Sequence, residues 1–316
     1  MIGGRFMINT VLGKIHPSEL GLTLMHEHII WDWDGASKNN KNLYDINEVV
    51  DMMEPYLLDL KRLGCQTLVE ATACGAGRDV EVLKACSERT GLNIITNCGA
   101  WDGGKHRGNF VPDELKEINI DEIAGIWLKE YKDGIDGTDI RPGFIKLALG
   151  DEGFISELQE KMLRAAARTS LASGLPLECH IGASESAARA VDIIEEEKLP
   201  FNKFLWVHID WSNDYPTVLK LAKKGIWVEI DAISAFPEPY EIQLNLLEKL
   251  ICDNLLDQVL ISQDAGCYEV GEVKDTKLRS YNNIFTKFIP ICKSKGICEE
   301  VINKILVENP AKILMN

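Results

Sequence analysis

The sequence predicts an α/β fold, a (β/α)8 barrel in which parallel strands alternate with helices. Three observations predict it. Short apolar, β-rich runs recur along the chain, separated by longer stretches with the spacing of amphipathic helices. Several of those stretches close on Gly and lead straight into the next run, at Leu63-Gly64, Thr90-Gly91, Ser173-Gly174 and Lys224-Gly225. Gly relieves the left-handed conformation that ends many helices. No low-complexity linker interrupts the alternation, so one domain over residues 1–316 is expected. An open doubly wound sheet is the alternative, weakened because no Gly-x-Gly-x-x-Gly follows any strand.

In chain order, strands are expected near 22–30, 67–72, 93–99, 144–150, 175–181, 205–210, 227–233 and 259–265. Helices are expected near 47–63, 78–90, 121–133, 156–173, 186–198, 214–224 and 240–256. In 156–173, Leu158, Met162, Leu163, Ala166, Ala167 and Leu171 form one apolar face, with Ser156 as the N-cap. Residues 100–120 read as a long Gly-rich loop covering the face where a barrel gathers its chemistry. The stretch 284–315, punctuated by Asn309-Pro310, reads as one or two helices closing the barrel.

Bulk properties exclude several functions. Hydrophobic content of 46% and charged content of 26% describe a soluble globular protein with a sizeable core. A formal net charge of −15 argues against nucleic acid, whose phosphates demand a basic surface. No run approaches the roughly 18 apolar residues of a membrane span, and residues 1–7 carry no apolar leader. Nine cysteines, an odd number without a Cys-x-x-Cys pair, point to free thiols in a reducing compartment. The expectation is a cytoplasmic protein acting on a small molecule, with a homodimer as the expected assembly.

The chemistry lies in the strand ends. His26 and His28 sit two apart in Leu22-Thr23-Leu24-Met25-His26-Glu27-His28-Ile29-Ile30, so both imidazoles share one face and can reach one ion. Lys146, His180, His208 and Asp264 end four further apolar runs. Strand C-termini of a barrel converge, which brings these groups together. Two divalent ions roughly 3.5–4 Å apart could then clamp a water and polarise a carbonyl or phosphoryl oxygen. His26, His28 and Asp264 would hold one ion; His180 and His208 would hold the other. An ammonium beside two dications is untenable, so Lys146 must be neutral or altered. A lysine of depressed pKa can add carbon dioxide and become a carbamate, a bidentate oxygen ligand.

Around this set, Asp210 and Asp231 end strands and could orient a ligand histidine or relay protons. Trp101, Lys105, Arg107, Trp211 and Tyr268 fall in strand-end loops and could line a substrate pocket. Glu27 faces away from its flanking histidines, in the outer layer. Cys179 and Cys74 lack a paired base, so nucleophilic catalysis by either is not expected.

The pattern resembles the phosphotriesterase-related family of the amidohydrolase superfamily, whose members include phosphotriesterase-like lactonases. The matching segments are Ile8-Asn9-Thr10-Val11-Leu12-Gly13, Leu20 to His28, Gly143-Phe144-Ile145-Lys146, Leu163-Arg164-Ala165-Ala166-Ala167, His180, His208-Ile209-Asp210, Ile261-Ser262-Gln263-Asp264 and Asn309-Pro310-Ala311. The resemblance covers essentially the whole chain. It implies a distorted (β/α)8 TIM barrel with a binuclear centre, usually zinc, with Mn2+, Co2+ or Fe2+ as alternatives. It further implies an N6-carboxylated Lys146 bridging the ions, and Asp264 as both ligand and proton shuttle. Three departures leave the substrate open. Ala232 follows Asp231 where some members carry His, Ala100-Trp101 stands where lactonases often place Tyr, and no early Arg follows Asp264.

The expected activity is hydrolysis of a lactone, of a sugar (phosphorylated or not) or a related hydroxy acid. Phosphotriester or phosphoester hydrolysis at the same centre is the alternative within enzymes. A barrel that binds metal or metabolite without turnover is the rival from another class.

Overall fold

The alternation read from the sequence closes into a barrel. The computed structural model describes residues 7–36, 40–102, 110–150, 152–233, 235–236, 238–271 and 278–315. A hairpin of β1 (Ile8–Thr10) and β2 (Gly13–Ile15) comes first. Then follow β3 (Leu22–Glu27), β4 (Ile30–Trp31), β5 (Cys65–Glu70), β6 (Asn93–Ile95), β7 (Asn97–Trp101), β8 (Phe144–Ala148), β9 (Leu177–His180), β10 (Phe204–Val207), β11 (Trp227–Ile230), β12 (Val259–Ile261) and β13 (Tyr268–Glu269). The barrel uses β3, β5, the pair β6 and β7 as one interrupted strand, and β8 to β12 in order.

All the barrel ladders are parallel: β3-β5-β6 in one sheet and β7-β8-β9-β10-β11-β12 in another. Thr96 separates β6 from β7 where the two sheets join. The barrel closes beyond the end of β12, where Asp264 N donates to His26 O at 3.2 Å and His28 N to Ala265 O at 3.0 Å. This split accounts for the distortion of the barrel.

Helices fill the connections, among them Ile46–Arg62, Val80–Thr90, Ile120–Asp133, Glu157–Ser173, Ser184–Glu196, Tyr215–Lys224 and Glu241–Cys252. Ser156 caps its helix by accepting from Gln159 N at 3.2 Å, and Gly91 and Gly174 end theirs in the left-handed region. The stretch 100–120 is less of a loop than its composition suggests. β7 runs through Trp101, and a short helix occupies Asp113–Glu117. The expected closing helices are two helical stretches, 284–294 and 299–314.

Alternation along each strand sorts side chains into layers. Phe144, Leu205, Trp227 and Leu260 fill the lower barrel, which Ile8, Leu20, Ile313 and Leu314 plug from below. Two residues further along stand Lys146, Val207, Glu229 and Ser262, and two beyond the last pair, past the ends of β11 and β12, stand Asp231 and Asp264. The interior therefore changes from apolar to ionic toward the strand C-termini. Gly99 has φ +118°, and a Cβ there would collide with the Lys146 carbonyl, so only glycine lets β7 approach β8 at the lysine. Among the described residues no helix is long and apolar enough to cross a membrane. The nine cysteines form no disulfide.

Candidate metal centre

Each ligand candidate is set by a strand end. His26 belongs to β3, and His28 follows where β3 breaks before β4. Lys146 lies within β8 and His180 ends β9. His208 stands just past β10 at φ +69°, and Asp264 three residues past β12 at φ +51°. Both occupy a left-handed region that L side chains rarely adopt, so the surrounding structure holds them there.

Hydrogen bonds fix which nitrogen of each ring is offered. Asp231 accepts from His26 Nδ1 at 3.0 Å through one oxygen and from His208 Nδ1 at 2.8 Å through the other, and it also takes the His208 backbone N–H at 3.0 Å. Thr72 Oγ1 donates to Ile30 O at 3.0 Å, which leaves it to accept from His28 Nδ1 at 2.8 Å. With their Nδ1 atoms engaged outward, His26, His28 and His208 turn Nε2 inward. His28 Nε2 lies 3.1 Å and His26 Nε2 3.9 Å from Asp264 Oδ1, and His208 Nε2 lies 2.6 Å from His180 Nδ1.

The donor set fits divalent metal. Ligand atoms of His26, His28 and Asp264 lie within 4.8 Å of one another; His26, His208 and Asp231 are as close, but as the hydrogen-bonded trio just described. Burial lowers the pKa of His26 well below its ordinary value, with Lys146 adding to the effect, and burial also lowers His28. Neutral imidazole is the form that coordinates. Burial pushes Asp264 upward, but His28, His26 and His208 together bring it well below the usual carboxylate range. It is therefore ionised at neutral pH.

Lys146 is 1% exposed and reaches His26 Nε2 at 3.4 Å and Glu178 Oε1 at 2.5 Å. Glu178 precedes His180 by two residues on the same strand face, beneath the ligand layer. Burial raises its pKa against the pull of Lys146. Across the barrel, Glu229 accepts from Ser262 Oγ at 2.7 Å, and burial raises it strongly.

Above the ligands lies a cavity of about 590 Å3. Four indoles line it: Trp31, Trp33, Trp101 and Trp211. Trp211 stacks on His208 with centroids 4.8 Å apart, while Trp31 and Trp101 present edges to His28 and His180. Glu269 and Arg279 stand at the same cavity.

Of the residues expected at the pocket, Trp101 and Trp211 line it. Lys105 and Arg107 lie outside the described residues. Tyr268 is not among the lining residues. β13 pairs with β4, and alternation sends Cys267 and Glu269 to the cavity and Tyr268 to the opposite side, against Tyr44. Asp231 bonds two of the ring nitrogens, whereas Asp210 Oδ2 accepts from Ala232 N at 3.1 Å and Gln243 Nε2 at 2.9 Å, bracing the turn after β10 against β11. Glu27 does face away from the histidines and is fully buried. Sequence reasoning missed Thr72, Glu178, Trp31, Trp33 and Arg279. Only Glu178 carried a signal, its two-residue spacing from His180.

Comparison with known proteins gives a consistent result. The model of the phosphotriesterase family matches residues 6–314. N-acetyltaurine hydrolase of Homo sapiens is 27% identical, covering 97% of this chain and 97% of its own. N-acetyltaurine hydrolase of Xenopus tropicalis is 26% identical with the same coverage. Aryldialkylphosphatase of Saccharolobus solfataricus is 29% identical over 96% of this chain and 98% of its own.

Proposed function

The chain belongs to the phosphotriesterase family of metal-dependent hydrolases, and from that premise we propose that it is a lactonase. Its substrate is a small cyclic ester, of a sugar or a related hydroxy acid. The observation that carries the reading is the convergence of three Nε2 lone pairs and an ionised aspartate over a buried lysine.

In this reading His26, His28 and Asp264 would hold one divalent ion, His180 and His208 would hold the other, and Lys146, as a carbamate, would serve both. Zinc suits the nitrogen-rich set. Two ions bound by these residues would supply a nucleophilic water near neutral pH and polarisation of the ester carbonyl. Carboxylation would convert an ammonium and carbon dioxide into a carbamate and two protons; Glu178, 2.5 Å from the nitrogen, would receive one and solvent in the cavity the other.

Asp264 takes the proton of the attacking water and delivers it to the leaving alkoxide. Asp231 and Thr72 keep the three imidazoles in the tautomer that coordinates. No histidine follows Asp231, so Asp264 hands its proton on without an imidazole relay. The indole walls exclude water and offer flat apolar faces to a ring. The nine free thiols support a reducing, cytoplasmic setting.

The relatives favour a second reading, in which the same machinery cleaves an N-acyl amide or a phosphotriester. A panel of lactones, N-acyl amino sulfonates and activated phosphotriesters, assayed with protein of measured metal content, separates these. The proposal expects about two ions per chain and the highest kcat/KM on a lactone. Turnover of amides or phosphotriesters with no lactone hydrolysed would overturn it.

A further inference from the structure

Glu27 and Glu70 are direct partners in the β3–β5 ladder, and both are fully buried on the outer face of the sheet. Like charges opposite one another destabilise a sheet, and burial adds a desolvation cost. Neither touches the cavity. Such an arrangement needs a use.

Each carboxylate grips two backbone N–H groups beside a ligand. Glu27 Oε1 accepts from Gln263 N at 3.0 Å and Oε2 from Ala265 N at 2.8 Å, the two amides that flank Asp264. Glu70 Oε1 accepts from Ile29 N at 3.2 Å, next to His28, and Oε2 from Thr72 N at 3.2 Å, the residue that orients the His28 ring. These grips fall where the regular ladders have run out. β3 ends at Glu27 and β12 at Ile261, and Asp264 beyond it has a left-handed backbone. Glu27 thus spans the barrel seam, and Glu70 repeats the device one strand along.

We propose that Glu27 and Glu70 are positioning residues of the metal centre, holding the backbone of Asp264 and His28 in ligand geometry from outside the barrel. Neither contacts the metal or the substrate. The inference rests on the binuclear-centre reading. Without the grips, Asp264 relaxes out of its left-handed conformation, and the edge between His28 and Asp264 opens.

The test compares wild type with Glu27→Gln and Glu70→Gln, each loaded with Co2+ at pH 8. Glutamine keeps the size and one acceptor but turns an amide donor toward the second N–H. Three quantities are read: Co2+ affinity by chelator competition, the visible absorption spectrum of the bound cobalt, and the Tm of the metal-free protein. The expectation is a loss of Co2+ affinity of about 10–100-fold in each variant, with an altered cobalt spectrum. Wild-type affinity and spectrum with only a lowered Tm would assign both glutamates a purely structural role and overturn the proposal. Should Glu27→Gln fail to fold, Glu70→Gln alone decides. A wild type that binds no Co2+ refutes the metal-centre reading itself, a result distinct from variants that merely match it.

Discussion

The two ends of the barrel interior are built from the same strands, yet they solve opposite problems. At the lower end Phe144, Leu205, Trp227 and Leu260 meet Ile313 and Leu314 in a dry plug. Two residues up those strands stand Lys146, Val207, Glu229 and Ser262, as buried as the plug, and all but Val207 are polar. Burying apolar surface stabilises by about 25 cal/mol per Å2, whereas burying charge costs several kcal/mol per ion before its partners offset it. The lower end is therefore where folding free energy is gained, and the upper end is where some of it is given up for chemistry.

The sharpest test of this division is Asp264→Asn. Losing the proton shuttle is expected to cut kcat by about 10²–10⁴-fold, while the Tm of the metal-free protein holds or rises. A matched fall in Tm would erase the distinction between the two ends. Phe144→Ala makes the converse change. It should cost about 3–5 kcal/mol of unfolding free energy and leave metal stoichiometry intact, read by denaturant titration and metal analysis.

Glu70 ties the division to pH. Its carboxyl ordinarily titrates near 4.5 and burial lifts it to about 7. The folded state thus binds the proton more tightly, so its contribution is complete below pH 4.5 and fades as pH rises through 7. The stability difference between wild type and Glu70→Gln, both metal-free, should shift against wild type by about 3 kcal/mol from pH 4 to 8. A difference independent of pH would place the carboxyl at its ordinary value. The smallest effect is expected from the paired change Lys146→Met with Glu178→Leu. Replacing a buried ion pair by apolar groups is expected to add about 1–4 kcal/mol of stability while abolishing binding of a second metal equivalent. A destabilised double variant with both ions still bound would break the comparison.

Much of this is legible in the sequence. The His26-x-His28 spacing, the helix-closing glycines and the run of strand-end donors need only local periodicity. What stayed hidden is what depends on partners distant in sequence. Thr72 meets His28 across 44 residues, and Glu27 meets Gln263 across 236. Nothing near either residue announces the contact. The strand-end position of Tyr268 does not reveal the pairing of β13 to β4, which turns the ring away from the cavity. Alternation alone places Glu178 on the face of His180, but a carboxylate beneath a ligand gives no local sign of its contact with Lys146.

Trp211 lies nearly parallel to the His208 imidazole, at an interplanar angle of 22°. An indole so placed is a native fluorophore in van der Waals contact with the reactive centre. Its emission should track any change in the charge of that imidazole, so the protein carries its own optical gauge of site occupancy. Loading could be followed in real time by ultraviolet excitation, with no dye and no chromogenic substrate.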